Sequence, residues 1–327
     1  MNIAVIGLGL IGGSVLRALA AAGHAVLGYD ADPATRATAR TAAAKAPASA
    51  RWQVTPTVRD AAAEAELVVV AVPLPAVEGV LIELGGHGYR GLVTDVTSVK
   101  GPVRDLVEAR LPRLAGFVGG HPMAGRETSG FAAADAELFA GCAWVLCLEP
   151  QETSLPDWLR LAGLVTGIGA RVVPATADEH DRAVAAVSHV PHLLASALAA
   201  TAGADPLAGT LAAGSFRDGT RVAASRPGLV AAMCGGNAAA VRPALDAALA
   251  ALDEARAALD DPHPIAALER WLTPGYAARA AWPARPSEPV ELPARTDVLL
   301  RLGRAGGWIT AVSPDGRTVT AARPVHP

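Results

Sequence analysis

The chain has 327 residues, 51% hydrophobic and 18% charged. That suits two globular domains with real cores and excludes a disordered chain. The net charge is −3 and there is no long basic run, so nucleic acid is not expected as a main partner.

Residues 1–5 enter a strand at once, leaving no room for a charged, cleavable leader, and no apolar run reaches the ~18 residues of a membrane span. Cys142, Cys147 and Cys234 form no C-x-x-C pair and read as thiols of a reducing cytoplasm. A soluble cytoplasmic protein is therefore expected, with no membrane association.

A β-branched strand is predicted over 2–6. It runs into Gly7-Leu8-Gly9-Leu10-Ile11-Gly12 and then a helical pattern to about 22. A G-x-G-x-x-G between strand and helix is the setting in which that spacing binds a dinucleotide. Gly7 permits the tight turn, Gly9 lets the backbone approach a pyrophosphate, and Gly12 lets helix and strand pack closely. The helix N-terminus adds free N–H groups and a positive dipole end. A second strand, 25–29, ends in Asp30, 18 residues past Gly12, near the spacing of about 20 for a ribose-binding carboxylate. That acid would repel a 2′-phosphate, so NAD is favoured, although Arg36 lies close in sequence.

The alternation continues with a continuous apolar strand over 67–72, of the kind that parallel sheets bury on both faces. Its end, Val72-Pro73, lies at the same carboxyl edge as the glycine loop and is a further candidate for cofactor contact. Strands are also predicted at 92–94, 115–118, 143–148 and 170–173, with a helix over 155–168. The expected class is α/β, a doubly wound Rossmann-type sheet of seven or eight strands over 1–174. Three strand-end loops could converge on one crevice: Gly7 to Gly12, Thr97 to Lys100, and His121 to Glu127.

The last of these loops is either a carrier of chemistry or a surface loop with an incidental histidine. A short apolar run feeds Gly119-Gly120-His121-Pro122-Met123-Ala124-Gly125-Arg126-Glu127. Two glycines allow close backbone approach, and Pro122 pushes His121 away from helical geometry. A histidine on a stiff turn at a strand end is a suitable acid/base group for a ligand crevice.

After Pro174 the pattern changes. Thr176-Ala177-Asp178-Glu179 reads as a helix start, and long helical segments without a convincing strand follow to about 260. Ser188-His189-Val190-Pro191-His192 places Ser188 and His192 on one helix face, with Pro191 expected to kink the helix. Two histidines at i, i+3 without a nearby third ligand are not expected to hold a metal. Arg217 and Arg221 flank Asp218 in a stretch expected between helices; they are either solvated surface pairs or carboxylate receptors. The domain expected over 175–285 is all-α, and the apolar faces of its long helices call for a partner, so a dimer is expected. Residues 286–327 are expected to form a proline-rich linker and a hairpin tail, with strands 308–312 and 317–321 around Ser313-Pro314-Asp315-Gly316.

In combination these blocks resemble the prephenate/arogenate dehydrogenase family of tyrosine biosynthesis. The matching blocks are the glycine loop, Asp95-Val96-Thr97-Ser98-Val99-Lys100, Gly120-His121-Pro122-Met123-Ala124-Gly125, Ser188 to His192, and Phe216-Arg217-Asp218-Gly219-Thr220-Arg221. The resemblance implies an N-terminal nucleotide domain, a C-terminal helical domain that forms a homodimer, and NAD as cofactor. The implied reaction is oxidative decarboxylation of prephenate to 4-hydroxyphenylpyruvate, or the same reaction on arogenate. It further implies that His121 accepts a hydrogen bond from the ring hydroxyl and that Ser98 orients His121 near the nicotinamide. His192 and Ser188 would line the substrate pocket, Glu127 would stand at its mouth, and Arg221, or failing it Arg217, would bind the substrate carboxylate. The roughly 40 residues after 286 are too few for the regulatory domain that many relatives carry there. Two rival readings are another two-domain NAD-linked dehydrogenase using Lys100, and a silent nucleotide-binding scaffold.

Overall fold

The computed structural model describes every residue except Glu127, Ala284, His326 and Pro327. It divides into two compact units, one of Met1–His180 with Glu288–Arg323, the other of Asp181–Ser287 with residues 324–325.

The first unit opens with six strands: β1 (Asn2–Ile6), β2 (Ala25–Tyr29), β3 (Gln53–Val54), β4 (Leu67–Val70), β5 (Leu92–Asp95) and β6 (Gly116–Val118). They form one parallel sheet in the order β3-β2-β1-β4-β5-β6. Successive side chains of a strand point to opposite faces, and here both faces are buried. Ile3, Val5, Leu67 and Val69 enter one core; Ala4, Ile6, Val68 and Val70 enter the other. This is why β1 and β4 read as continuous apolar runs.

The expectation of seven or eight strands in a single sheet is corrected by the structure, which has a second, mixed sheet. The chain leaves the first sheet at Val118, passes Gly119 and at once starts β7 (Gly120–Pro122), followed by β8 (Ala143–Cys147) and β9 (Arg171–Ala175). Late in the chain come β10 (Arg285–Pro286), β11 (Val290–Pro293), β12 (Trp308–Val312), β13 (Thr318–Ala322) and β14 (Pro324–Val325). The second sheet runs β11-β13-β12-β9-β8-β7, with β8 and β9 parallel and its other pairs antiparallel.

The tail is therefore no separate appendage. Its hairpin adds to β9, and the helix Thr296–Arg304 buries Leu299, Leu300 and Leu302 in the same core as Trp158 and Leu146. An isolated hairpin is barely stable in water; here β12 pairs with the edge of β9, and Ile309 and Val319 are buried in the core that holds Trp158 and Leu161. The expected linker likewise contains strand β11, and the first compact unit runs on to His180.

Among the described residues, the second unit is helical apart from the two-residue pair β10–β14. Its long helices are Val190–Gly203, Ala238–Leu259 and Pro264–Ala280. The expected kink near Pro191 takes the form of a π-helical turn at Ala185–His189, with Pro191 in the first turn of the next α-helix. The Arg217 stretch, expected between helices, is itself a short helix, Gly214–Thr220, followed by a 3-10 turn at Arg221–Ala224.

One prediction about apolar length needs correction. The helical run Ala177–Gly203 is 27 residues long and apolar enough to cross a membrane by length and composition. Its alanine-rich make-up raises hydropathy without a long string of large apolar residues.

Candidate active site

The glycine loop is built to receive a phosphate. Gly7 has φ +99°, and a Cβ there would lie 2.4 Å from the Ala71 carbonyl oxygen. At Gly12 a Cβ would lie 1.9 Å from the Gly7 oxygen. Only glycine fits either position without moving backbone. Gly9 differs: a Cβ there would meet nothing within 4 Å. The open space above Gly9 sits at the start of the helix Leu10–Ala21, which has no side-chain cap and no acid in its first turn. An uncapped 12-residue helix start facing open space suits a pyrophosphate.

Asp30 is half-buried at the end of β2, and its Oδ2 accepts the Leu8 N–H at 2.7 Å while Oδ1 accepts the Asp32 N–H at 2.8 Å. The carboxylate thus braces the loop from the position expected for a ribose ligand. Arg36 donates to the carbonyls of Asp30 and Ala31 at 2.6 and 3.1 Å. Leu8 is fully buried, so only its backbone can face a cofactor; Leu10 and Ile11 are half-buried in the first helical turn. Val72 is half-buried beside Gly7, and Pro73 is exposed as the residue preceding the next helix.

The next strand end organises the His121 turn. Asp95, at the end of β5, is 1% exposed. Its Oδ1 accepts the Gly120 N–H at 3.1 Å, and its Oδ2 accepts the Thr97 N–H at 2.9 Å and the Thr97 hydroxyl. The Lys100 ammonium, also 1% exposed, pairs with the same oxygen and donates to the Gly120 carbonyl at 2.6 Å and to Thr97 Oγ1 at 3.2 Å. One buried ion pair therefore ties the loop after β5 to the residue just before His121. Gly120 is needed there, because a Cβ would stand 2.6 Å from the Asp95 carbonyl oxygen.

His121 is half-buried, with its Nδ1 2.8 Å from Nε2 of His180. The rings meet edge to face, with centroids 5.0 Å apart. His180 is 2% exposed and sits on the helix Ala177–Val184. That helix starts with a capping box: the Glu179 N–H donates to Thr176 Oγ1 at 3.2 Å, and the Thr176 N–H donates to Glu179 Oε2 at 3.0 Å. The cap was legible in the sequence; the role of His180, one residue further on, was not, because nothing local pairs it with residue 121. Ser98 is half-buried on the loop after β5, and among the described residues no hydrogen bond joins it to His121. Glu127 lies outside the described residues.

The segment beyond His121 is anchored as well. Ser14 on the nucleotide helix accepts the Asp135 N–H at 2.9 Å, and Arg126 pairs with Asp135 at 2.7 Å. Gly13 is required where Phe131 and Ala134 pack, since a Cβ would lie 2.8 Å from the Ala134 Cβ.

In the second unit, His192 and Ser188 are half-buried, and His192 Nδ1 donates to the Ser188 carbonyl at 2.9 Å. His189 is fully buried, with Nδ1 3.2 Å from the Asn237 amide nitrogen, which also donates to the Asp181 carbonyl at 2.7 Å. Arg217 and Arg221 are both exposed, and Arg217 lies 3.6 Å from Asp218. Among the described residues no cluster of three or more His, Cys, Asp or Glu could hold a metal.

A parallel sheet with this glycine loop, a carboxylate closing β2 and a histidine turn at the carboxyl edge defines a dinucleotide-binding dehydrogenase domain. The chain belongs to the prephenate dehydrogenase family: the model of its nucleotide-binding domain matches residues 15–174, and that of its dimerization domain matches 176–272. The chain is 35% identical over 266 residues to the cyclohexadienyl dehydrogenase of Zymomonas mobilis, covering 79% of this chain and 88% of that one. It is 38% identical over 172 residues to the prephenate dehydrogenase of Bacillus subtilis, covering 51% of this chain; the match spans about half of that relative, 46% of its length.

Among solved structures, a candidate prephenate dehydrogenase of Corynebacterium glutamicum is 39% identical with a TM-score of 0.77, covering 86% of this chain and 88% of its own. Prephenate dehydrogenase of Aquifex aeolicus, in complex with hydroxyphenyl propionate and NAD+, is 25% identical with a TM-score of 0.74, covering 86% and 97%. The fold expected from the sequence and the NAD-binding assignment are thus borne out.

Proposed function

We propose that the protein catalyses NAD-dependent oxidative decarboxylation of prephenate to 4-hydroxyphenylpyruvate, acting as a homodimer in a reducing cytoplasm. Arogenate, which carries an amino group in place of the side-chain keto group, is the alternative substrate. The observation that carries the reading is the His121 turn, held by a buried Asp95–Lys100 pair at the edge where the glycine loop lies. NAD, which the glycine loop from Gly7 to Gly12 and Asp30 would hold, would supply the acceptor for the hydride leaving the ring carbon that bears the hydroxyl.

His121, as neutral imidazole, takes the hydroxyl proton as that carbon becomes a carbonyl. The ring carboxylate then leaves as carbon dioxide, and its bonding electrons complete the aromatic ring, whose oxygen regains a proton. Aromatisation supplies the driving force, so the protein's main task is orientation. Ser98 is assigned to the nicotinamide side of His121, and Ser188, His192 and Glu127 to the substrate. Arg221, with Arg217 as the alternative, is assigned to the carboxylate. Lys100 is no free nucleophile or base, since its ammonium is buried against three oxygens.

Dimerisation is supported by the family description of the helical domain and by exposed Leu207, Leu211, Leu259, Ile265 and Leu272 on it. The direct test is NADH formation on mixing the protein and NAD with prephenate or arogenate. His121→Asn should lower turnover on the order of 10²-fold or more and remove the loss of rate at acid pH. An Asn variant with ordinary turnover and an unchanged acid limb refutes the assignment.

A further inference from the structure

We propose that His180 is a positioning residue that fixes the tautomer of His121, holding the hydrogen on Nδ1 and the lone pair on Nε2. This rests on the reading of His121 as the base. A neutral imidazole has one nitrogen with a hydrogen and one with a lone pair, and which is which follows from the bond the ring makes. Nδ1 of His121 is covered by His180 Nε2 at 2.8 Å, so a substrate hydroxyl cannot reach it. A base at this position must accept through Nε2. Nδ1 then carries the hydrogen and donates it to His180 Nε2, which leaves the hydrogen of His180 on its own Nδ1.

The opposite polarity, with His180 as donor, would put the His121 hydrogen on Nε2 and leave nothing to accept the substrate proton. His180 is suited to the task because it is fixed: it is 2% exposed and sits in the first turns of a helix started by the Thr176–Glu179 capping box. The His121 backbone is fixed independently through Gly120 and Asp95. Two rigid elements of the same unit therefore meet at one N–H···N bond. When His121 takes up the substrate proton, the same bond becomes charge-assisted, strengthening as the cation forms. No atom has to move apart from the transferred proton.

The arrangement is tested in the full-length protein labelled with 15N-histidine, by long-range proton–nitrogen correlation at a pH where the rings are neutral. The wild type should show His121 with a protonated Nδ1 and an unprotonated Nε2. His180→Phe should shift it toward the Nε2–H form that free histidine prefers. It should also lower kcat by up to about 10⁴-fold, the loss that a wrong histidine tautomer causes in a Ser-His-Asp triad, with little change in KM for NAD. His180→Gln, whose side-chain oxygen can accept from Nδ1, should restore the Nδ1–H signature and most of kcat; it is also the variant to use if Phe does not fold. A wild-type His121 protonated on Nε2, or the same tautomer with and without His180, overturns the proposal. Failure of the base reading appears separately, as activity retained by His121→Asn.

Discussion

Replacing Lys100 with Met tests how the site is held together. Methionine nearly matches the lysine stem, so the change removes the ammonium with little change in packing. Asp95 is then left 1% exposed without its counter-ion. Breaking a buried pair from one side costs about 3–5 kcal/mol. Here the two Thr97 donors and the Gly120 N–H still satisfy the carboxylate, which favours the lower end of that range. The Gly120 carbonyl loses its 2.6 Å donor, for about 1 kcal/mol more. The expected loss is about 3–4 kcal/mol, or roughly 6–16 °C in melting temperature for a unit of this size at about 2–4 °C per kcal/mol.

Thermal unfolding of Lys100→Met, Asp95→Asn and the double variant completes a cycle. The double variant should be more stable than the single costs predict when added, with a coupling of about 1–3 kcal/mol. Well below the transition, Lys100→Met should keep turnover within about tenfold, whereas a lysine acting as acid or base would lose on the order of 10²–10⁴. A variant within about 1 kcal/mol of wild type, a size ordinary for surface changes, or strictly additive costs, would refute the reasoning.

Three further outcomes are expected. Gly9→Ala should melt like the wild type without cofactor, because its Cβ enters open space, yet lose NAD affinity; Gly12→Ala should also lower the melting temperature, because its Cβ meets the Gly7 carbonyl. Isothermal titration and thermal unfolding separate the two, and ordinary NAD binding by Gly9→Ala would count against a pyrophosphate there. Arg221→Ala should raise KM for the cyclohexadienyl substrate about 30- to several-thousand-fold, the equivalent of roughly 2–5 kcal/mol, with NAD affinity unchanged; if only Arg217→Ala does so, Arg217 is the receptor. Burial pushes the Glu149 carboxyl above its ordinary pKa despite the bond from the Ala177 N–H. A folded-state pKa above the unfolded one means stability is lost as pH rises through it. Glu149→Gln, which keeps an acceptor for Ala177, should therefore melt higher than wild type at pH 7 and equally at pH 4; a lower melting temperature at pH 7 would contradict this.

Much of the fold was legible because its signals are local. The glycine loop, the apolar runs of β1 and β4, the Thr176 cap and the tail hairpin were each readable from a few neighbouring residues. The second sheet was not. Residues 115–118 read as one strand feeding the histidine, whereas the chain changes sheets at Gly119, and nothing within that segment distinguishes a strand end from a sheet change. The hairpin's partner β9 lies more than a hundred residues away, and pairing at that distance leaves no trace in periodicity. Within the site, His121 was found because glycine and proline mark the turn around it. His180 sits on a helix whose cap was readable, but nothing local pairs it with residue 121, and only the fold brings it to His121. Lys100 showed as a lysine near the crevice, and its burial against Asp95 decides that it supports the site.

On the proposed reading of His121 as the base, the geometry holds that base fixed on the unit that carries the glycine loop. The segment from Gly120 to Asp135 is tied down near both ends. At one end Asp95 holds the Gly120 N–H, and Lys100 holds the Gly120 carbonyl. At the other, Ser14 on the nucleotide helix holds the Asp135 N–H, with Gly13 packed against Phe131 and Ala134. Ser14 lies two residues after Gly12, on the helix whose start suits the pyrophosphate. The element that positions the dinucleotide is thus the element that anchors the His121 segment. For the proposed reaction, rate would depend on the distance and angle between hydride donor, acceptor and base. On that reading, mounting the glycine loop and His121 on shared anchors would fix two of those three before substrate arrives, leaving the substrate's own contacts to set the third.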